Sequence, residues 1–381
     1  MKIVHLCVSN FFIDGFAYQE NELVRQNVLD GHDVLVIAST ETYSQDMDLT
    51  YVKPCSYVGT EGARVIRVPY RRWLPQRIMR KLRIHPNILS LLEKESPDVI
   101  LFHSLCGWEL LTAKAYKKKN PAVRMFADSH EDFNNSARSF ISRNILHRFY
   151  YRSLLRYTMD AFEKILCISI DTIHFVRDFY GVPAEKIEFY PLGGFVFDDS
   201  EYARIRSSTR SQYQLCDRHI LFIQTGKMDA SKKVLQTLKI FTRINNSNIR
   251  LFLVGHLQRD VAAEAEAVIR KDSRIQFVGW KSPNDLRNLL CAADVYVQPG
   301  TQSATMQMSL CCRCVVILDD VPSHKPYING NGWLVGEHCT MEEALLSAVA
   351  DPERLPHMSS DSTAIAARLL DYRKLASRLY A

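Results

Sequence analysis

The sequence lacks any apolar run long enough to cross a membrane. No stretch of its 381 residues approaches the roughly 18 apolar residues of a spanning helix. A secretory signal peptide is missing as well, because Met1 and Lys2 lead directly into the segment IVHLCV with no small-residue cleavage site. The apolar content of 47% and the charged content of 24% are ordinary for a folded protein. We therefore expect a cytoplasmic protein, and its length suggests two domains at roughly 150 residues each.

Metal-binding cysteine patterns are also missing. The ten cysteines are scattered apart from one dense group, in which Cys311 and Cys314 have the spacing CxxC. The densest group, Cys311, Cys312 and Cys314, has no His or Cys partner at the spacing of a zinc site. We therefore predict reduced, mostly buried thiols, no metal site and no cofactor.

The positive charge is unevenly distributed, although the formal net charge is only +6. Residues 64–83 contain eight Lys or Arg and no acid, and residues 133–159 contain five Arg and no acid. Trp73 and Phe149 are among the apolar residues in these stretches. This mixture favours the surface of an anionic membrane, so we predict peripheral binding through 64–83 and 138–156. A solvated helix is the alternative, and no base-reading motif suggests nucleic acid.

Apolar segments alternate with helical patterns along the chain. The predicted strands are 2–8, 33–39, 63–69, 97–103, 124–130, 164–169, 187–194, 220–225, 249–255, 275–280, 294–300 and 314–318. Such alternation predicts an α/β fold with parallel sheets covered by helices on both faces. Ligands then bind beyond the carboxyl ends of the strands, so the polar and glycine residues at those ends are the candidate site.

The alternation is interrupted once, at residues 196–217, which are polar and lack a strong period. We interpret them as a linker between two doubly wound Rossmann-like domains, 1–195 and 218–360. Residues 361–381 have a helical pattern, and we predict that this C-terminal helix packs back on the first domain.

One segment, HILFIQTGKMDASKK at 219–233, combines a strand, a glycine turn and a helix start. Such a turn can hold a phosphate, since the helix N-terminus offers free N–H groups and Lys227 and Lys232 add positive charge. It is not a Walker A loop, because the second glycine of that motif is absent. A solvated loop with surface lysines is the alternative.

The C-terminal half resembles the family 4 glycosyltransferases of the GT-B fold. GKMDASKK resembles the diphosphate loop G-R-L-x-x-x-K-G, with Lys227 at the arginine and Lys232 at the lysine. Five further segments fit later motifs in order: FLVGH (252–256), FVGW (277–280), LRNLLCAADVYVQPG (286–300), MQMSLCCRCVVI (306–317) and NGWLV (331–335).

The N-terminal half matches more loosely, through VLDGHDVLVIA (28–38), PDVILFHS (97–104) and the glycine-rich residues 190–194. The resemblance covers nearly the whole chain. It implies an α/β architecture of two Rossmann-like domains facing across a cleft. The implied activity is retaining transfer of a sugar from a nucleotide diphosphate to a hydroxyl, without a metal ion.

The sequence departs from the family at its paired glutamates. The second glutamate falls on Gln307, whose amide binds a ribose hydroxyl more weakly than a carboxylate does. The first has no counterpart, and GTQSAT (300–305) occupies that space. Ser303 and Thr305 would then face the donor.

The resemblance also assigns the other site residues. The implied donor-binding residues are Gly15, Phe16, Gly226, Lys227, Lys232, Gly255, Gly279, Trp280, Pro299, Ser303, Thr305 and Gln307. The loop with Gly15 and Phe16 is expected to approach either the diphosphate or the acceptor. His103, His130 and Glu131 are the implied catalytic residues, with one histidine contacting the transferred sugar or the acceptor. A strand-end histidine satisfied by the backbone is the alternative.

Taken together, the residues and the resemblance predict a glycosyltransferase that uses a nucleotide sugar and a lipid-linked or oligosaccharide acceptor in cell-surface glycan synthesis. A sugar-nucleotide epimerase on the same fold is one alternative, although it needs acidic residues that the loop 300–305 lacks. A non-catalytic relative is the other alternative, and the missing glutamates favour it.

Overall fold

The structure is a computed structural model, and it describes residues 1–43, 48–300 and 303–381. These residues form two compact units. The first comprises Met1–Pro191 and Tyr372–Ala381, and the second comprises Leu192–Asp371.

The first unit contains an eight-stranded sheet. Its strands and those of a separate small hairpin are β1 (Lys2–Cys7), β2 (Asp33–Ser39), β3 (Glu41–Tyr43), β4 (Leu49–Tyr51), β5 (Ser56–Val58), β6 (Arg64–Val68), β7 (Val99–Phe102), β8 (Arg124–Ser129), β9 (Ile165–Cys167) and β10 (Ile187–Phe189). The order is β10-β9-β8-β7-β1-β2-β6-β5, and β3 pairs with β4. Every pairing in the large sheet is parallel except β5 with β6.

Helices cover both faces of this sheet. They are α1 (Gln19–Leu29), α2 (Gln76–Leu82), α3 (Ile88–Glu95), α4 (Glu109–Lys119), α5 (Arg152–Thr158) and α6 (Ile170–His174), with π-helical segments Ser142–Tyr151 and Phe175–Tyr180 and short 3₁₀ turns Met159–Ala161 and Ala184–Lys186. The central strand β7 is buried along its whole length. Continuous apolar strands of this kind are typical of a parallel sheet that has no solvent-facing side.

The second unit is a wholly parallel six-stranded sheet. Its strands are β11 (Ile220–Met228), β12 (Ile249–Leu257), β13 (Ile275–Gly279), β14 (Val295–Gln298), β15 (Val315–Asp319) and β16 (Gly332–Val335), in the order β13-β12-β11-β14-β15-β16. Its helices are α7 (Asp199–Gln212), α8 (Val234–Arg243), α9 (Ala262–Ile269), α10 (Pro283–Ala292), α11 (Ala304–Cys311), α12 (Met341–Ala350) and α13 (Leu355–Leu369), with 3₁₀ turns Ala230–Lys232, Pro322–Tyr327 and Pro352–Arg354.

Helix α8 illustrates why these segments pack. Val234, Leu238 and Phe241 recur at the spacing of one helix face, and all three are buried. Phe241 meets Phe222 of β11 edge to face, with ring centroids 5.9 Å apart. The apolar stripe therefore fixes the helix that begins directly after the candidate phosphate loop.

The segment predicted as a linker, 196–217, has a different structure. Most of it forms α7, which belongs to the second unit. Arg206 and Arg210 anchor this helix, since their guanidinium groups lie 2.5 and 3.3 Å from the carboxylate of Asp294. The anchoring acid is more than eighty residues away, so the local sequence gives no sign of it.

The C-terminal segment also differs from one continuous helix. Helix α13 ends at Leu369 in the second unit, and α14 (Tyr372–Ser377) lies in the first. There the hydroxyl of Tyr190 donates to the carbonyl of Leu375 at 2.7 Å. Among the residues that the structure describes, no helix is long and apolar enough to span a bilayer.

Candidate active site

The carboxyl edge of the second sheet contains two glycines in direct register. Gly226 of β11 pairs with Gly255 of β12. Gly255 has φ +136°, and a Cβ atom there would lie 2.0 Å from the carbonyl oxygen of Gly226. Only glycine fits such an approach. The two strand ends therefore present bare backbone at this edge.

The lysine turn, residues 229–233, follows β11. The carboxylate of Asp229 accepts from the hydroxyl of Ser231 at 2.5 Å and from the N–H of Lys232 at 3.2 Å. The side chain of Gln224 donates to the carbonyl of Lys232 at 2.8 Å. These bonds fix the backbone that carries Lys232 to the start of α8.

The lysines of this segment differ in their surroundings. Lys232 is half-buried, and its burial lowers the pKa of its ammonium although nearby Asp229 opposes the shift. Lys227 is exposed. Lys233 points elsewhere, because its Nζ lies 2.7 Å from the carboxylate of Asp319. Lys232 and Lys227 are therefore the lysines placed to meet an anion at the glycine edge.

The loop after β14 packs against the lysine turn. Gly300 has φ +104°, and a Cβ atom there would lie 2.4 Å from the carbonyl oxygen of Ser231. Pro299 is buried before it. Ser303 caps α11 by accepting from the N–H of Met306 at 3.3 Å. Thr305 is half-buried in the first turn of α11.

The remaining residues of GTQSAT, Thr301 and Gln302, lie outside the described residues. The predicted placement of this loop against the donor stays a prediction, and the structure describes the residues on either side of the gap, Gly300 and Ser303.

Gln307 is completely buried on α11. Its Oε1 accepts from the N–H of Gly193 at 3.3 Å. Its Nε2 has no hydrogen-bond partner among the described residues. A buried amide N–H without a partner is costly, so this atom is suited to an acceptor oxygen supplied by a ligand.

An exposed aromatic residue stands at the end of β13. Gly279 ends the strand with φ +74°. Trp280 is 63% exposed. Its ring stacks on His256, with centroids 5.2 Å apart and planes 19° from parallel. The pair offers a flat surface to a planar ligand.

The first unit has its own polar cluster, at the ends of β7 and β8. The ring of His103 is completely buried, with Nδ1 2.5 Å from the carboxylate of Asp128 and Nε2 3.0 Å from Nδ1 of His5. Nε2 of His5 in turn donates to the side-chain oxygen of Asn27 at 2.8 Å. Both ring nitrogens of His103 are therefore occupied.

This geometry bears on the prediction for the two histidines. We predicted that one of His103 and His130 contacts the transferred sugar or the acceptor, and the ring of His103 has neither an exposed edge nor a free nitrogen. The alternative of a backbone-satisfied histidine is wrong for His103, since its partners are side chains. His103 acts as a buried link between Asp128 and His5.

The protonation states follow from these contacts. Burial lowers the pKa of His5 to about 3, and the charge of His103 adds to this shift. Burial opposes the charge of His103 as well, but contacts with Cys7 and Asp128 outweigh it and raise the pKa of the imidazole. The pKa of Asp128 is lowered, because the contact with His103 exceeds the effect of burial. An imidazolium–carboxylate pair beside a neutral His5 satisfies each hydrogen bond in the row of side chains that runs from Asp128 through His103 and His5 to Asn27.

His130 and Glu131 lie beside this cluster on the wall of a cavity of about 680 Å³. The ring of His130 is 32% exposed, and its Nε2 lies 4.0 Å from Asp128, too far for a hydrogen bond. The Nε2 atom has no hydrogen-bond partner among the described residues. Of the two predicted histidines, His130 is therefore the one available to a ligand.

Glu131 is partly committed to its neighbours. Its carboxylate accepts from the hydroxyls of Ser104 and Ser129 at 2.7 and 2.5 Å. The Sγ–H group of Cys106 donates weakly at 3.5 Å. Glu131 can line the cavity, but these bonds limit its freedom to act as a base.

Gly15 and Phe16 lie in the loop between β1 and α1. Gly15 has φ +75°, and its N–H donates to Glu61 at 3.1 Å. The ring of Phe16 lies 5.3 Å from that of Tyr18. The loop is thus held within the first unit, whereas the other predicted donor residues belong to the second.

Sequence reasoning missed two residues of the polar cluster in the first unit, His5 and Asp128. Asp128 stands two residues before His130 in the predicted strand end, so its position was a usable signal. The side chain of His5 gave none, because its contacts are set by the fold. Within the described part of the chain, no group of three His, Cys, Asp or Glu side chains could hold a metal ion.

Solved structures share this architecture. Sucrose-phosphate synthase from Thermosynechococcus elongatus is 14% identical, with a TM-score of 0.65 over 99% of this chain and 97% of that chain. WaaG, a glycosyltransferase involved in lipopolysaccharide biosynthesis, is 16% identical, with a TM-score of 0.61 over 100% of both chains. Anabaena HepE in complex with UDP is 14% identical, with a TM-score of 0.61 over 99% of this chain and 98% of that chain. The fold is therefore that of the GT-B glycosyltransferases, as predicted.

Family models match both halves of the chain. Residues 17–193 match the model described as Glycosyltransferase Family 4, and residues 218–351 match Glycosyl transferases group 1. No curated protein sequence matched the chain. Together the two models cover most of the chain, which belongs to the family 4, group 1 glycosyltransferases, and this confirms the predicted family and transferase activity.

Proposed function

We propose that the protein is a retaining glycosyltransferase that uses a nucleotide-diphosphate sugar. The lysine turn carries this proposal, because its backbone is fixed by Asp229 and Gln224 and its half-buried Lys232 stands beside the bare glycine edge. Related folds support it: HepE was solved with UDP, and starch synthase IV from Arabidopsis thaliana with ADP and acarbose.

The reaction places negative charge on the leaving diphosphate. The bond between the anomeric carbon and the diphosphate oxygen breaks, the bond to the acceptor oxygen forms on the same face, and the acceptor proton passes to the diphosphate. Lys227, Lys232 and the backbone at Gly226 supply the positive charge and N–H dipoles that stabilise this leaving group. The mechanism needs no metal ion.

The other donor contacts follow the positions of the side chains. The base lies on Trp280 with Gly279 beneath it. The ribose and phosphates lie along Pro299, Ser303 and Thr305. The unpartnered Nε2 of Gln307 donates to a sugar or ribose oxygen. A neutral amide replaces the family's carboxylate there, so this contact is weaker than the usual one.

The acceptor is a lipid-linked or polysaccharide hydroxyl in cell-surface glycan synthesis, handled by the first unit. His130, whose ring is partly exposed on the cavity wall, orients the acceptor hydroxyl. Glu131 lines the same cavity.

The first unit also contacts the cytoplasmic face of a membrane. Its exposed apolar side chains lie among the arginines of 138–156: Phe140 is 79% exposed and Phe149 75% exposed. In the other basic stretch, Trp73 is 67% exposed and a guanidinium of Arg71 lies 4.7 Å from its ring centroid. Exposed aromatics among cations suit an anionic lipid surface.

A thermal-shift screen with UDP, GDP, ADP, CMP and dTDP tests the donor site. A ligand that binds the folded state raises the melting temperature, so we expect one nucleoside diphosphate to shift it well above the others. No shift with any of the five would contradict the proposal.

Vesicle sedimentation tests the membrane surface. We expect the protein to bind vesicles that contain anionic lipid. A Phe140→Ser, Phe149→Ser double variant should bind them about tenfold more weakly, since it loses two rings that enter the lipid when the protein binds. The matched control is Phe277→Ser, which removes an exposed ring from the second unit. Equal binding by the double variant and the wild type would show that residues 138–156 are not part of the membrane-binding surface.

A further inference from the structure

The cavity in the first unit is strongly basic. Three cations, Lys81, Arg83 and Arg138, line it against a single carboxylate, Glu131. Both oxygens of that carboxylate already accept hydrogen bonds from Ser104 and Ser129. The cavity therefore has an excess of positive charge that its own acid does not neutralise.

Arg83 is held in this cavity by its backbone. It follows α2 in the left-handed conformation, with φ +57°. Its stem lies so close to Gly107 that a Cβ atom on that glycine would approach the Cβ of Arg83 to 2.3 Å. A non-glycine residue in this conformation costs free energy, so the surrounding structure fixes Arg83 in place.

The protein satisfies the guanidinium of Arg83 only in part, through the hydroxyls of Tyr70 and Tyr151. Its Nε and Nη1 atoms are buried and have no hydrogen-bond partner among the described residues. The acid beside it is Glu41, 3.9 Å from Nη1, and Arg80 already pairs with Glu41 at 2.7 Å. Buried, unpartnered N–H groups of a cation are expensive, which indicates an anionic ligand.

Hydroxyl groups surround the same space. The Oγ of Ser9 is buried and also lacks a partner among the described residues. Ser139 and Ser142 line the cavity as well. A guanidinium fork, an ammonium and hydroxyl donors together match the several oxygens of a phosphate better than the two of a carboxylate.

We infer that this cavity binds an acceptor that carries a phosphate or diphosphate group. Arg83 and Lys81 contact the phosphate oxygens, and the acceptor hydroxyl lies toward His130. The volume of about 680 Å³ accommodates a phosphate with at least one sugar. This inference rests on the proposed function, in which the first unit handles the acceptor.

Titration calorimetry with inorganic pyrophosphate tests the inference. Lys232→Gln serves as the parent, because it weakens the proposed donor site, which then keeps only Lys227. We expect the parent to bind pyrophosphate and the added Arg83→Gln substitution to weaken binding at least about tenfold, since charged hydrogen bonds are lost. The added Arg77→Gln substitution is the matched control, because Arg77 is exposed on the same helix and does not line the cavity.

A second variant guards against misfolding of Arg83→Gln at its constrained backbone position. Lys81→Gln, added to the same parent, changes a residue of ordinary backbone geometry and should also weaken pyrophosphate binding. If the parent fails to bind pyrophosphate, or if both variants bind it as the parent does, the inference is overturned.

Two further probes distinguish the sources of the phosphate. Farnesyl diphosphate represents a lipid-linked acceptor and glucose 1-phosphate a soluble one. Tighter binding of either than of pyrophosphate, dependent on Arg83, supports the inference and assigns the source. Nucleotide binding by the wild-type protein is measured separately: if nucleotide binds and these phosphates do not, only this inference fails.

Discussion

The candidate residues at the strand ends of the two units are held in opposite ways. Lys232 of the second unit is half-buried, and its turn is fixed by Asp229 and Gln224, three and eight residues away. His103 of the first unit is completely buried, and its partners Asp128 and His5 are 25 and 98 residues away. A strand-end residue can thus face a ligand or support the strands beneath it. Partners that are near in the sequence mark the first role, and partners that are far away in the sequence mark the second.

The largest expected effect comes from breaking the buried pair of the first unit. Replacing Asp128 with Asn leaves His103 without its counter-charge in a site closed to water. We expect the free energy of unfolding to fall by roughly 3–5 kcal/mol, measured by urea denaturation. Asp160→Asn is the control, because it breaks only an exposed pair with Lys114 and should cost less than about 1 kcal/mol. Equal losses for both variants would show that the buried pair has no special role.

Acid should destabilise the protein through the same cluster. The native pKa of His5 is about 3, below its ordinary value of 6.5, so the unfolded chain takes up a proton first as the pH falls. Its contribution is therefore lost progressively between pH 6.5 and 3, and by pH 5 the loss is about 2 kcal/mol. His103, whose pKa is raised, keeps its contribution in this range. Urea midpoints at pH 7 and pH 5 measure the loss.

The His5→Gln variant sharpens this pH prediction. It removes the group that titrates only in the unfolded chain, so its midpoint should change less between the two pH values than that of the wild type. A pH dependence identical to the wild type would assign the acid sensitivity to other groups.

The smallest expected effect concerns Trp280 in the second unit. If the base stacks on it, Trp280→Ala should weaken nucleotide binding about fivefold, or roughly 1 kcal/mol, in titration calorimetry. Phe277→Ala removes another exposed ring of β13 and should leave the affinity unchanged. Unchanged nucleotide affinity in both variants would show that the base does not stack on Trp280.

The parts of the fold that the sequence predicts are those with local causes. Strand and helix positions follow from apolar spacing, and the turn that carries Lys232 follows from a strand, a glycine turn and a helix start in one segment. The helix at Asp199–Gln212 was interpreted as a linker, because its apolar pattern is weak and its anchoring acid, Asp294, is distant.

Residues 134–135 show the same limit. They turn around Asp132, whose carboxylate accepts from their N–H groups at 2.7 and 2.8 Å. A short polar side chain that satisfies the backbone in this way competes with helix formation. The burial of a side chain by residues that are distant in the sequence, as at His103, cannot be derived from the spacing of apolar residues.

The central claim is that Lys232 holds the diphosphate of the donor, and one comparison tests it most directly. Affinity for the nucleoside diphosphate and sugar transfer are measured for wild type, Lys232→Ala and Lys233→Gln. Lys233 is the adjacent lysine, but it pairs with Asp319, so its variant loses the same charge outside the site. The account predicts that Lys232→Ala folds, binds at least about tenfold more weakly and loses transfer, while Lys233→Gln binds as the wild type does. Near-normal affinity and transfer in Lys232→Ala would contradict it.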